Sequence, residues 1–271
     1  MQDGECVALL QWMLPALGLR WAGFRRVRKQ VCKRISRRLA ELGLERAEDY
    51  RVYLSTHPDE WRVADSLCTV TITRFYRDKG VFAYLGSTVL PELGARARRE
   101  GRTELFAWSA GCGSGEEPYS LALGWHFEVG DKLPELALRI LGTDIDDALL
   151  RRAHEAVYPS GCLEELPERW RGAAFEETSA GLRLRPDYRA NVTLRRHDLR
   201  DRPPDGPFDI VLCRNLAFPY FDDAAQLTTA ERLHNALIEG GALVLGRHET
   251  LPAGATGFSA WSAGHKVYRR D

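Results

Sequence analysis

The sequence predicts an α/β protein in which a helical leading region is followed by a mostly parallel, doubly wound sheet. Three observations carry that expectation. Before Thr69, apolar residues recur every three or four positions and no strand alternation is sustained. From Leu105 onward, short apolar runs alternate with amphipathic stretches, the pattern of strands joined by crossover helices. The first of those runs ends in a glycine-rich turn, where sheets of this class take up ligands. At 271 residues and 44% hydrophobic content, the chain can bury one large or two ordinary cores.

In the leading region, Phe24, Val27, Val31, Ile35, Leu39 and Leu42 form one helical stripe, with Gly43 placed to stop the helix. Its other face is basic, carrying Arg25, Arg26, Arg28, Lys29, Lys33, Arg34, Arg37 and Arg38. Further helices are expected over 47–55 and 59–68. The Arg-rich stretch 95–102, between Gly94 and Gly101, reads as a helix tail and surface connection. Leu105-Phe106-Ala107-Trp108 then reads as a strand, 119–127 as a helix and 136–141 as a second strand running on to Thr143-Asp144. A helix follows over 146–156. Phe208 to Cys213 is a buried strand, 223–237 a helix, Gly240-Gly241 a turn and 242–245 a last strand. Ala174-Phe175, 182–185 and 192–196 break the alternation and read as a small antiparallel insert.

Charge and cysteine usage exclude several classes. Thirty-eight Lys+Arg balance 38 Asp+Glu, which disfavours an overall polyanion binder. The neutrality is an average, because residues 1–50 hold ten Lys/Arg against six Asp/Glu, or +4. No apolar run is long enough to span a membrane, and Met1–Leu10 lacks the basic start of a secretory signal. Six dispersed cysteines without a C-x-x-C pair predict reduced thiols, neither a disulfide framework nor a metal site. No H-E-x-x-H pair supports metal chemistry. A cytoplasmic protein is the expectation.

The chemistry concentrates in Trp108-Ser109-Ala110-Gly111-Cys112-Gly113-Ser114-Gly115-Glu116-Glu117. Its glycine spacing is not that of dinucleotide folds, and no lysine follows to hold a phosphate. Two glutamates at the coming helix start would repel a phosphate but welcome a cofactor bearing an ammonium and a sulfonium. S-adenosylmethionine (SAM) carries both charges. The alternative is a tight turn without a ligand. Asp144, at the end of the second strand, is placed to accept hydrogen bonds from ribose hydroxyls, with Asp146 the helix cap.

Five segments in order carry a family resemblance. Thr71-Ile72-Thr73-Arg74-Phe75-Tyr76-Arg77-Asp78 resembles the T-x-F-F-R-[ED] signature of the CheR-type chemoreceptor glutamate methyltransferases. Ser114-Gly115-Glu116-Glu117-Pro118-Tyr119-Ser120 is similar to that family's glycine loop, and Leu141-Gly142-Thr143-Asp144-Ile145-Asp146 to its ribose-binding strand end. Cys213-Arg214-Asn215 with Tyr220-Phe221-Asp222, and Gly246-Arg247-His248-Glu249, resemble two later segments.

The resemblance implies a Rossmann-like SAM-dependent methyltransferase with SAM as cofactor and S-adenosylhomocysteine as product. It implies a helical N-terminal domain over 1–88, a linker over 89–103 and a SAM-binding domain over 104–271, with the β-insert at about 174–196. Carried over, Thr73, Arg77, Glu116 and Asp144 meet the cofactor or its reacting end, beside Ala110, Gly111, Gly113 and Ile145. Asp198-Leu199 and Asn215-Leu216 line the adenosine. Arg77 and Tyr220 stand at the methyl acceptor. The implied acceptor is a glutamate carboxylate of a chemoreceptor-like protein, whose cytoplasmic helices would dock on the basic helix 25–38. A solvated face or RNA binding are the other readings of that helix, and the lack of interleaved aromatics counts against nucleic acid.

The chain also departs from the family. Leu216-Ala217-Phe218-Pro219 places four residues between Asn215 and Tyr220 where three are usual. Gly111-Cys112-Gly113 is richer in glycine than usual, and Arg74-Phe75-Tyr76 substitutes tyrosine for phenylalanine. These keep open a divergent member acting on another protein carboxylate or a small molecule, or a catalytically silent SAM-binding module.

Overall fold

A computed structural model describes residues 1–71 and 73–271; Ile72, inside the first of the family-like segments, lies outside the described residues. The chain forms two compact units, Met1–Ile72 with Phe218–Gln226, and Thr73–Ala217 with Leu227–Asp271.

The first unit is helical: α1 (Asp3–Ala16), α2 (Trp21–Phe24), α3 (Arg28–Glu41), α4 (Ala47–Thr56) and α5 (Glu60–Cys68). The apolar stripe folds as expected, with Val31, Ile35 and Leu39 of α3 buried beside Leu10, Met13 and Leu14 of α1. The helix predicted as continuous from Phe24 is interrupted, because the Val27 amide closes a turn on the Phe24 carbonyl before α3 begins. Glu60 is buried and holds Arg38 at 2.7 Å and the Tyr50 hydroxyl at 2.8 Å. The cysteine expectation fails here. Cys6 of α1 and Cys32 of α3 form a disulfide with Cα atoms 5.9 Å apart. Helix packing brings together residues 26 positions apart, a proximity that motif spacing does not encode.

The second unit carries α6 (Lys79–Tyr84), α7 (Leu90–Arg99), β1 (Glu104–Ala110), α8 (Glu116–Gly124), β2 (Ala137–Asp144), α9 (Asp147–Glu155), β3 (Val157–Tyr158), α10 (Glu168–Ala174), β4 (Phe175–Thr178), β5 (Gly181–Leu184), β6 (Val192–Arg196) and β7 (Phe208–Cys213). Phe218–Gln226, in the short α11 (Ala217–Tyr220) and the start of α12 (Asp223–Ala236), belong to the first unit, and the second unit resumes at Leu227 and runs on through β8 (Leu237–Leu245), β9 (Phe258–Ser262) and β10 (Val267–Arg270). The seven-stranded sheet has the order β6-β2-β1-β7-β8-β10-β9. Its first five strands are parallel and the last two antiparallel. The order reverses between β1 and β7, so the loop after β1 opens at the switch point. β7 is buried at every position, as a central parallel strand requires.

Four sequence expectations change. The region assigned to the first unit up to residue 88, and to a linker beyond it, divides instead at residue 72. Val81, Phe82, Leu85, Val89, Leu90, Leu93 and Ala97 all enter the core of the second unit. The small antiparallel sheet is β3-β5-β4, spanning residues 157–184. Val192–Arg196, expected within it, is instead the parallel edge strand beside β2. Gly240-Gly241 is not a turn, because β8 runs through it with a register shift against β7 and Gly240 at φ +68°. The hairpin β9–β10 carries no strong alternation and was not anticipated. No helix of the described residues is long and apolar enough to cross a membrane.

Candidate SAM and acceptor site

The loop after β1 is built for close approach. Gly111, Gly113 and Gly115 have φ of +74°, +57° and +93°, a region that side-chain-bearing residues rarely adopt. A Cβ on Gly111 would lie 2.4 Å from the Leu216 side chain, and one on Gly115 would lie 2.7 Å from the Tyr119 ring. The Gly111 and Cys112 amides both donate to the Thr143 carbonyl at 2.8 Å, tying the loop to the end of β2.

Two carboxylates face this loop. Asp144 Oδ2 accepts the Gly113 amide at 2.8 Å and Oδ1 accepts the Asp146 amide at 3.0 Å. Asp146 caps α9 by accepting from Ala148 and Leu149, the cap the sequence suggested. Glu116 is 1% exposed and takes hydrogen bonds from the Ser114 and Thr73 hydroxyls at 3.1 and 3.0 Å. Among the described residues neither Asp144 nor Glu116 makes a salt bridge. Burial pushes both carboxyls above the ordinary carboxylate range, and the surrounding hydrogen bonds only partly oppose it. Buried acids with no salt-bridge partner favour a cationic ligand, and they suit the ammonium and sulfonium of SAM.

The remaining sequence-nominated residues fall unequally. Thr73 joins the group through Glu116, and Leu216 joins it by packing at Gly111. Asn215 is left-handed at φ +57°, with its amide held by Glu249 Oε2 at 2.8 Å. Asp198 and Leu199 follow β6 at the same sheet edge, where the His197 amide bonds the Asp144 carbonyl at 3.0 Å. Asp198 spends its carboxylate on Arg200, at 2.8 to 3.1 Å. Burial raises its pKa, but these bonds outweigh burial and leave it below the usual range.

Ala110 ends β1 in a buried position, and Ile145 follows Asp144 half-buried. Arg77 is half-buried between Tyr76 and Asp78, both left-handed at φ +55° and +62°. Tyr220 belongs to the first unit, where its ring lies 5.1 Å from Phe24 and its carbonyl accepts the Arg20 amide at 2.8 Å. Of the four residues before it, Ala217, Phe218 and Pro219 join it in α11. A Cβ on Gly23 would lie 2.1 Å from the Pro219 carbonyl oxygen, so only glycine fits there.

Arg214 is the group that sequence reasoning quoted without giving it a role. Its side chain is 2% exposed, with Nη1 3.1 Å from Glu117 Oε2 and Nη2 2.8 Å from Asp78 Oδ2. No cluster able to hold a metal ion occurs among the described residues.

The sheet order, the glycine turn at its switch point and the buried acids define a SAM-dependent methyltransferase domain whose cofactor is S-adenosylmethionine. Residues 71–267 match the family model described as CheR methyltransferase, SAM binding domain, and the chain belongs to the CheR methyltransferase family. It is 36% identical over 186 residues to a chemotaxis protein methyltransferase of Listeria monocytogenes, covering 69% of this chain and 68% of that one. A probable chemotaxis protein methyltransferase of Rhizobium etli is 33% identical over 229 residues, covering 81% and 83%. Chemotaxis protein methyltransferase 2 of Vibrio cholerae is 29% identical over 227 residues, covering 82% and 77%.

Proposed function

We propose that the protein transfers methyl groups to glutamate carboxylates of a chemoreceptor-like protein in the cytoplasm. The observation that carries this reading is the combination of two buried acids without a salt bridge among the described residues, Glu116 and Asp144, with Arg77 on the turn that opens the family's matched region. Relatives named chemotaxis protein methyltransferases support a chemotaxis protein as the acceptor.

When bound, SAM supplies an electrophilic methyl group. Asp144 would hold the ribose hydroxyls through the lone pairs left by Gly113 and Asp146. Glu116 and Thr73 would face the cationic end, with Ala110, Gly111, Gly113 and Ile145 as the walls of its cradle. Asn215-Leu216 and Asp198-Leu199 would flank the adenosine. A glutamate side chain has an ordinary pKa of about 4.3 and is already ionised at neutral pH, so no residue need act as general base. The work left to the protein is alignment. The Arg77 guanidinium is suited to a bidentate grip on the acceptor carboxylate.

The docking face is narrower than the composition suggests. Of the eight basic residues from Arg25 to Arg38, Arg28 pairs with Asp3, Arg38 pairs with Glu60 and Glu41, and Arg34 donates to the Leu67 and Thr69 carbonyls. Arg25, Arg26, Lys29, Lys33 and Arg37 remain exposed, and these five would meet an acidic receptor helix.

Incubation with methyl-labelled SAM and receptor cytoplasmic fragments should give alkali-labile methyl esters on the fragment. Arg77→Ala should abolish the transfer while the protein stays folded. Label confined to small metabolites would overturn the receptor assignment and favour the small-molecule reading.

A further inference from the structure

We propose that Arg214 is a positioning residue that acts through Arg77. It clasps Asp78 and Glu117 together and thereby fixes the strained turn on which Arg77 stands. The inference rests on the reading of Arg77 as the acceptor-orienting group.

The turn needs holding. Tyr76 and Asp78 flank Arg77, and both occupy the left-handed region. For non-glycine residues that conformation is costly, and it persists only where the surroundings over-determine it. Three contacts do so here. The Tyr76 amide donates to Ser120 Oγ of α8 at 2.7 Å. Arg214 Nη2 donates to the Arg77 carbonyl at 2.9 Å and to Asp78 Oδ2 at 2.8 Å. The same guanidinium lies 5.2 Å from the centre of the Phe82 ring, the next turn of chain.

The other end of the clasp is anchored in the cofactor loop. Arg214 Nη1 donates to Glu117 Oε2 at 3.1 Å, and Glu117 Oε1 accepts the Ser109 hydroxyl of β1 at 2.8 Å. Glu117 directly follows Glu116, which Thr73 contacts. The turn carrying Arg77 is thus referenced to the strand end and helix start that form the cofactor cradle. A planar fork with several donors is required to span two carboxylates and a carbonyl at once, and a lysine ammonium at this site does not provide one. Substitution by lysine therefore keeps the buried charge while removing the span.

Arg214→Lys should lower kcat at least tenfold with the receptor fragment that accepts label in the assay above. Its affinity for S-adenosylhomocysteine by calorimetry should stay within about twofold of the parent. Hydrogen exchange of the 73–80 segment should accelerate at least tenfold while the peptides of β1 and β7 are unchanged. In an Arg77→Lys background the same substitution should cost less than about threefold, because its effect passes through Arg77.

A folded Arg214→Lys protein with the parent's kcat and exchange would overturn the proposal, as would an equal loss in both backgrounds. If Arg214→Lys does not fold, Asp78→Asn answers the same questions, since it loosens one arm of the clasp at its more exposed end. Full transfer by Arg77→Ala would instead remove the acceptor reading, while the exchange result would still report on the clasp.

Discussion

Glu116 and Glu117 are adjacent at the start of α8 and meet opposite environments. Glu116 is buried among hydroxyl donors with no ion-pair partner among the described residues, as is Asp144 among backbone amides. Glu117 is ion-paired to Arg214, which also satisfies Asp78. One set of acids keeps its field open toward the loop, and the other is closed on an internal cation. Net negative charge by itself therefore does not identify a cation site. An acid left without a counter-charge where burial makes that costly does.

The largest break in this contrast comes at Asp144. Asp144→Asn keeps one acceptor oxygen and removes the charge, so S-adenosylhomocysteine should bind roughly 100-fold more weakly, the loss of charge-assisted hydrogen bonds. Unchanged binding by calorimetry would remove Asp144 from the site. Glu116→Gln should act more modestly and more selectively, weakening SAM about tenfold and S-adenosylhomocysteine less, because only SAM bears the sulfonium charge. Equal losses for the two ligands would place Glu116 at the shared ammonium instead.

The open set was legible in the sequence and the closed set was not, for a physical reason. Gly111, Gly113, Glu116 and Asp144 are recognisable because strand end, glycine turn and helix start are local features of a few residues each. Arg214 reaches Asp78 across 136 positions and Glu117 across 97, and no local pattern states which acid a buried arginine will choose. The same holds for Cys6 and Cys32, joined only because α1 and α3 pack together. Val192–Arg196 was misplaced because a parallel edge strand pairs with a distant neighbour and leaves no hairpin signature, whereas β4 and β5 pair as a local antiparallel hairpin. The helical stripe Val31, Ile35, Leu39 was read correctly from its period. The fate of the basic residues opposite it depended on Asp3, Glu60 and two carbonyls contributed by other segments.

The smallest expected effect tests the cost of leaving Glu116 open. Burial raises its folded pKa above the ordinary carboxylate value, so between those two values the folded chain retains a proton that the unfolded chain has released. The stability from this group is fully present below the ordinary value and is lost as pH rises through the folded value. Glu116→Gln removes that loss, so the ligand-free variant should melt about 2–4 °C above the parent at pH 8, with the gap closing as the pH falls toward 4. Calorimetric melting at the two pH values measures it. A gap that persists unchanged at pH 4 would mean that packing, not charge, distinguishes the variant. A parent that melts higher at pH 8 would mean that the Thr73 and Ser114 hydrogen bonds more than offset burial, making Glu116 as internally satisfied as Glu117.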